Sequence, residues 1–260
     1  MYKDKRFRTR PVEEVIDDLD MARDAYGPGV RTIFLADGNC AVLSTRRLVA
    51  IGEAARERFP HLERITMYGS AKFLVKKSQD EWRRIARAGI TRIHSGLESG
   101  DPVTLAAINK GVTPEQAVRA YNHVMDAGIE LSVYIMVGVA GLARWREHAE
   151  GSAHVLNQAS PDFVRLRTFV PQPGTPWHDR WRRGELTLLS VYEALEETRL
   201  MIERLDGHTT LLSDHISNFL DVHGRIPDDK PQMLATIDTA LQLPRTSFRP
   251  PTEQLVGLSF

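Results

Sequence analysis

The sequence predicts an α/β fold built on a parallel sheet with helical crossovers. Three observations carry the prediction. Apolar runs of strand length begin near residues 31, 63, 91, 130 and 162. A helix-patterned stretch lies between each pair of runs. Glycine-bearing turns close the strand runs, as at Ala36-Asp37-Gly38-Asn39, Tyr68-Gly69-Ser70, Gly96-Leu97-Glu98-Ser99 and Gly138-Val139-Ala140-Gly141. Regular β–α alternation at this spacing places the strands side by side and parallel. Five such units are too few for a complete eight-fold barrel, so a partial, open barrel and a doubly wound sheet both fit.

The elements follow from local signals. Pro11 opens a helix with Val12, Val15, Ile16, Leu19 and Ala22 on one face, and Gly27-Pro28-Gly29 ends it. Thr32 to Ala36 is a buried strand. Ser44 caps a helix that runs to about Phe59. Ile65 to Tyr68 is the next strand. Ser78 and Glu81 form a capping box for a helix to about Ala88. Gly89 to Gly111 supplies a strand, a turn through Gly96 and Gly100, and a helix capped by Asp101 with Pro102 at its first position. Thr113 and Gln116 make another capping box. Leu131 to Val137 is an apolar strand, a helix of about sixteen residues follows, and Phe163 to Phe169 is the last clear strand. Val170 to Pro176 reads as a stiff loop. After Gly184 the alternation is expected to stop, with a long helix over Leu186–Leu205, a short extended segment near Thr210–His215, a final helix over Gln232–Leu241 and a proline-bearing tail.

Composition narrows the function classes. The 260 residues carry 34 basic and 34 acidic side chains, which gives no support to a broad nucleic-acid or membrane surface. The basic run Lys3, Lys5, Arg6, Arg8, Arg10 reads as a solvated start. No apolar run reaches transmembrane length and there is no secretory signal, so a cytoplasmic location is expected. Cys40 is the only cysteine, which excludes an intrachain disulfide and a cysteine-rich metal site. The nine histidines show neither HxxxH nor HExxH spacing. GxGxxG, GxxxxGK[ST] and GxSxG are absent, so Rossmann, P-loop and hydrolase-elbow sites lack support.

The chemistry is expected at the strand ends. In parallel α/β folds ligands bind at the C-terminal ends of the strands. There Asp37, Asn39, Ser70 and Glu98 offer polar partners, and glycine lets the backbone approach a ligand. Lys110 follows Glu98 by twelve residues and can face an anion, although a solvated lysine at a helix end is the ordinary arrangement. Cys40 reads as a structural thiol. Asp214-His215 with Asn218 reads as local hydrogen bonding.

In combination, Gly96-Leu97-Glu98-Ser99-Gly100, Ala107-Ile108-Asn109-Lys110-Gly111, Val137-Gly138-Val139 and Pro173-Gly174-Thr175-Pro176 resemble the radical S-adenosylmethionine (SAM) superfamily, in the branch with an Elp3/HemN-like core. The resemblance covers roughly residues 1–185. It implies a partial (β/α)6 TIM-like barrel. It also implies a [4Fe-4S] cluster, held by C-x3-C-x2-C after the first strand, that reduces SAM to a 5′-deoxyadenosyl radical. Carried over by motif, Asp37, Gly38 and Asn39 fall where the family meets the SAM amino group. Tyr68 and Ser70 stand at the third-strand end. Glu98 matches the polar residue near the ribose, Lys110 the basic residue that reaches the SAM carboxylate, and Tyr134 and Gly138 the positions near ribose and adenine.

The departure is the missing cysteine triplet. The chain also opens on a helix that follows no strand, and Met1-Tyr2-Lys3 resembles what directly follows the third cysteine in relatives. The expectation is therefore a radical-SAM-like barrel over 1–185 that lacks its first strand and cluster loop, with a C-terminal helical extension over 186–260. Such a chain is expected to be inactive in radical generation as given and to self-associate through the exposed sheet edge. The alternative is a cluster-free relative that binds SAM or another ligand, or docks a partner. Ala36-Asp37-Gly38 in place of a Gly-Gly pair also weakens the expected contact to the SAM amino group. Residues 186–260 identify no substrate.

Overall fold

A computed structural model of the chain describes residues 8–36 and 38–248. Helix α1 (Val12–Tyr26) precedes the first described strand, β1 (Thr32–Leu35). Then come α2 (Thr45–Arg58), β2 (Arg64–Tyr68), the single turn α3 (Ala71–Leu74), α4 (Gln79–Arg87) and β3 (Ile90–Glu98). The middle of the chain adds α5 (Pro102–Ala107), α6 (Pro114–Met125), β4 (Glu130–Val137), α7 (Trp145–Ala159) and β5 (Phe163–Thr168). The last part holds α8 (Pro176–Arg182), α9 (Val191–Arg204), β6 (Thr209–Leu212), β7 (Gly224–Ile226) and α10 (Lys230–Ala240).

The strands form one sheet in sequential order, β1 through β7. All neighbours from β1 to β6 are parallel, and β7 returns antiparallel to β6. Sequential parallel order with a helix at each crossover is the topology of a barrel segment, since a doubly wound sheet reverses its order at a switch point. The fold is thus the partial TIM-like barrel, and the doubly wound alternative falls.

Local chemistry explains the helix boundaries. Ser78 with Glu81, and Thr113 with Gln116, make reciprocal capping boxes as expected. Asp101 caps α5 by accepting from the Thr104 N–H. Ser190 with Glu193 adds a capping box that starts α9 at Val191, five residues later than the sequence suggests. Each such cap contributes about 1 kcal/mol.

The alternation does not stop at Gly184. The segment expected only as a short extended piece is β6, which pairs parallel to β5 through Phe163–Thr210, Val164–Leu211 and Arg165–Leu212. Helix α9 is the crossover between them, so the sheet runs past residue 185. The expected stiff loop also gives way at Pro176, where Thr175 accepts from the His178 N–H and starts α8.

One face of the sheet lies under the helices. Ile65, Met67, Ile93, Leu97, Leu131, Val133, Ile135, Val164 and Leu166 point there and are buried with Trp82, Tyr121 and Phe59 in a single core. Burying each such side chain stabilises the fold by about 1.5–3 kcal/mol relative to exposure. Strand periodicity sends the alternate residues to the other, inner face. That face carries Phe34, Tyr68, Arg92, His94, Tyr134, Arg165 and Arg167. The outer edge of β1 has no strand partner among the described residues.

Candidate functional site

The C-terminal ends of β1 to β4 form one rim. At its first corner the Asn39 side-chain oxygen accepts from the Ser70 N–H at 3.1 Å, tying the β1 turn to the β2 turn. Gly38 turns the chain there with φ +49° and open space around it. Asp37 lies outside the described residues. Ser70 begins α3 without capping it, so its hydroxyl is not spent on the helix. Tyr68 is half-exposed on the inner face, edge-on to Phe34 with ring centres 5.0 Å apart.

Glu98 ends β3 at the centre of the rim. Its φ is +68°, unusual for a residue with a side chain, and the β3–β4 register slips between Gly96 and Glu98. A bulge of this kind re-aims a side chain at the end of a strand, and backbone strain of about 1–3 kcal/mol of this sort concentrates at functional sites. The re-aimed carboxylate meets Lys110 Nζ at 3.0 Å, and both side chains keep about a fifth of their surface exposed. Gly96 makes room for the pair. A Cβ at that position would lie 2.2 Å from Glu98 Oε1 and 3.3 Å from Lys110 Nζ. Lys110 is therefore drawn to the rim and is not the solvated helix-end lysine that spacing alone allows.

Behind the rim a buried polar network fixes the next corner. The Gly138 N–H donates to Glu197 Oε1 at 2.9 Å, with Gly138 at φ +81°. The same oxygen is 3.3 Å from His148 Nε2, and His148 Nδ1 is 2.8 Å from Ser99 Oγ. Ser99 Oγ accepts from the Asp101 N–H, and Asp101 takes two hydrogen bonds from Arg144 at 3.0 and 3.1 Å. Gly100 approaches α7 so closely that a Cβ would lie 2.1 Å from the Gly151 carbonyl oxygen. Its small size serves helix packing, whereas the sequence reading allowed for contact with a ligand.

The inner face below the rim joins the expected Tyr68 and Tyr134 to residues that sequence patterning offered no reason to single out, Phe34, Arg92, His94, Arg165 and Arg167. A row of rings runs across the strands, from Phe34 through Tyr68 and His94 to Tyr134, with the His94–Tyr134 centres 5.8 Å apart. His94 Nδ1 is 2.9 Å from Tyr134 Oη. Tyr134 thus faces inward three residues below the strand tip, while Gly138 stands just past it. Arg92 is paired through two bonds with Glu130, at 2.8 and 2.5 Å. Arg167 stacks over the Tyr134 ring at 4.8 Å. Burial pushes the His94 imidazole down to about 4, and Arg165, Arg92 and Arg167 act in the same direction against Glu130. The available signal was alternation: Arg92, His94, Gly96 and Glu98 on one strand, and Arg165 and Arg167 on another, are every second residue.

A cleft of about 450 Å³ opens beside the rim, among Val103, Val139, Ala140, Arg144, Trp177 and Leu186, and takes in the far side of the β4 turn. None of the described residues predicted for the site lines it. Its cations are engaged already: Arg144 by Asp101, and Arg180 by the Trp177 ring at 4.7 Å. The rim, with its strained carboxylate and glycine corners, is the better candidate.

The family model of the Radical SAM superfamily matches residues 2–149, more than half of the chain. The chain belongs to this superfamily. Among solved structures, this radical SAM chain resembles HemN, the coproporphyrinogen III oxidase of Escherichia coli. The TM-score is 0.58 at 14% identity, covering 76% of this chain and 47% of that one. It also resembles the Elp3 of Methanocaldococcus infernus, with a TM-score of 0.56 at 14% identity over 92% of this chain and 60% of that one. These likenesses concern the fold. By sequence it is 24% identical over 172 residues to an uncharacterized methyltransferase of Pyrococcus horikoshii, covering 66% of this chain and 35% of that protein. It is 25% identical over 120 residues to a tRNA uridine(34) acetyltransferase of Methanocaldococcus infernus, covering 46% and 22%. The chain thus spans about a third or less of the length of these two relatives.

Membership implies SAM and a [4Fe-4S] cluster, and the residues fit the two differently. A cluster of this kind is held by cysteine thiolates. The sequence offers Cys40 alone, and its Sγ lies 3.5 Å from the Leu35 carbonyl in the first turn. Among the described residues no three His, Cys, Asp or Glu side chains group to hold a metal. The residues present do not fit the cluster. The rim does supply a carboxylate, an ammonium group and glycine corners of the kind an amino-acid nucleoside requires. No described helix is long and apolar enough to cross a membrane.

Proposed function

We propose that the rim of this barrel binds S-adenosylmethionine and that the chain, with its single cysteine, does not itself generate the family's radical. The observation that carries the reading is the convergence of Glu98, Lys110, the Asn39–Ser70 corner and Gly138 at the ends of consecutive parallel strands. In this reading Glu98 accepts hydrogen bonds from the ribose hydroxyls. Lys110 has three donors, so its bond to Glu98 leaves two for the methionyl carboxylate. Asn39, Gly38 and Ser70 face the methionyl amino end. Gly138 offers backbone to the adenine edge, and its N–H is already committed to Glu197. Tyr68 and Tyr134 wall the inner side.

The single cysteine favours a second role for the same site, a cluster-free ligand-binding or partner-docking relative. Calorimetric titration with SAM, paired with anaerobic iron–sulfide reconstitution, tests both parts. Saturable binding that Glu98→Ala abolishes, without a stable four-iron spectrum, is the expected result. Absence of binding heat and of a thermal shift would overturn the SAM assignment, and a stable four-iron spectrum on this chain would overturn the cluster-free one.

A further inference from the structure

The inner face holds more positive charge than its own acids neutralise. Arg92 is fully matched by Glu130. Arg165 is not matched in the same way. Its Nη1 is 3.7 Å from Asp214 Oδ1, beyond hydrogen-bond reach, and its Nε is buried without a partner. An unpartnered buried donor is costly to the fold, and a ligand acceptor would recover that cost. Arg167 lies two residues along the same strand on the same face and has no ion pair among the described residues. Its guanidinium rests on the Tyr134 ring. The two arginines stand where the ring row Phe34–Tyr68–His94–Tyr134 ends, and Phe34 and Tyr68 each leave about two fifths of their surface open.

We propose that Arg165 and Arg167 seat the carboxylate or phosphate of an anionic small-molecule substrate whose apolar body lies along this ring row. Guanidinium groups suit this task because their planar donors match either anion with paired hydrogen bonds. The ring row supplies the apolar contact that orients the remainder of the ligand. The seat lies on β5, away from the Glu98–Lys110 pair, so a nucleoside on the rim and an acid on the inner face do not compete for cations. The assignment of the seat to substrate rests on the reading that SAM takes the rim.

The test uses the whole chain titrated with phenylphosphate, with benzoate and with benzylamine, each with and without saturating SAM. At least one aromatic anion is expected to bind and benzylamine is not; which anion binds distinguishes phosphate from carboxylate. Arg165→Gln and Arg167→Gln are expected to weaken the binding by about tenfold or more, as for loss of a charge-assisted contact. Asp214→Asn removes the carboxylate 3.7 Å from Arg165 and is expected to tighten binding several-fold, a gain that misfolding cannot produce. By NMR, the bound anion is expected to raise the His94 titration midpoint, because it cancels positive potential from Arg165, Arg92 and Arg167. The other groups facing His94 are Glu130, Tyr68 and Tyr134, and Asp214 stands beside Arg165. Failure of both anions to bind, or equal binding by the glutamine variants, would overturn the seat. Displacement of the anion by SAM would give the arginines to the SAM carboxylate and would overturn the substrate assignment. Binding of the anion without binding of SAM would defeat the rim reading and leave the seat standing.

Discussion

Two histidines in this barrel have opposite surroundings. His148 lies behind the rim, fully buried between α7 and α9, with Ser99 on one ring nitrogen and Glu197 on the other side. His94 lies on the inner face, partly open, with Tyr134 on one nitrogen and three arginines around it. The first belongs to a network that links the β3 and β4 turns and holds Gly138 in place. The second belongs to a surface whose charges are not balanced by its own residues. The first is sealed from solvent by the helices packed over it, and the second faces the barrel interior, where an open donor can gain a ligand's acceptor. The same residue type is scaffold in one place and a reporter of the site in the other.

Substitutions sharpen the contrast. The largest expected effect is Gly100→Ala, which drives a methyl group into the Gly151 carbonyl. Overpacking against backbone costs roughly 3 kcal/mol here, at the upper end of the usual range, and a fall in Tm by thermal melting checks it. Glu197→Ala comes next. It leaves the buried Gly138 N–H without its acceptor, at about 1–3 kcal/mol, and removes the carboxylate 3.3 Å from His148 Nε2. Glu197→Gln keeps an acceptor and should recover most of the loss in the same melt. If Glu197→Ala melts like the parent chain, the corner is not held as described.

Glu98→Gly should act in the opposite sense on the rim. Glycine adopts φ +68° without penalty, so the variant is expected to melt no lower than the parent while losing SAM binding. A variant that loses both stability and binding would make Glu98 a structural residue. The smallest effect is that of one substitution on the pH dependence. The folded His94 midpoint of about 4 lies below the ordinary imidazole value, so between about 4 and 6.5 the unfolded chain holds the extra proton. Stability therefore rises with pH through that window and is lost as pH falls through it. Arg165→Gln, by removing a like charge, should raise the midpoint and shrink the dependence; melts from pH 4 to 7 on both proteins check the sign.

Much of the scaffold was legible because its signals are local. The capping boxes at Ser78 and Thr113, the Asp101-Pro102 start and the turns at the strand ends are written in four-residue patterns. Parallel pairing followed from alternation, but strand order did not: a partial barrel and a doubly wound sheet share that pattern, and the pairing β1 to β7 decides between them. What escaped depends on distant partners. Thr209–Leu212 is too short and too mixed to stand out, and it becomes a strand only by pairing with β5. The Ser99–His148–Glu197 chain joins residues about fifty positions apart, and no spacing rule reaches that far. Within the candidate site, Glu98 and Lys110 were legible as types but their pairing required the bulge at Gly96. Arg165 and Arg167 were hidden because a strand scanned for its buried face gives no reason to ask what its other face encloses.

A crystal structure of this chain soaked with SAM reads directly where the nucleoside binds. The predicted result is nucleoside density along the rim between Glu98 and Gly138, with the methionyl end toward Lys110 and the Asn39–Ser70 corner. Density confined to the cleft beside Trp177 and Arg180, or none at saturating ligand, would contradict it.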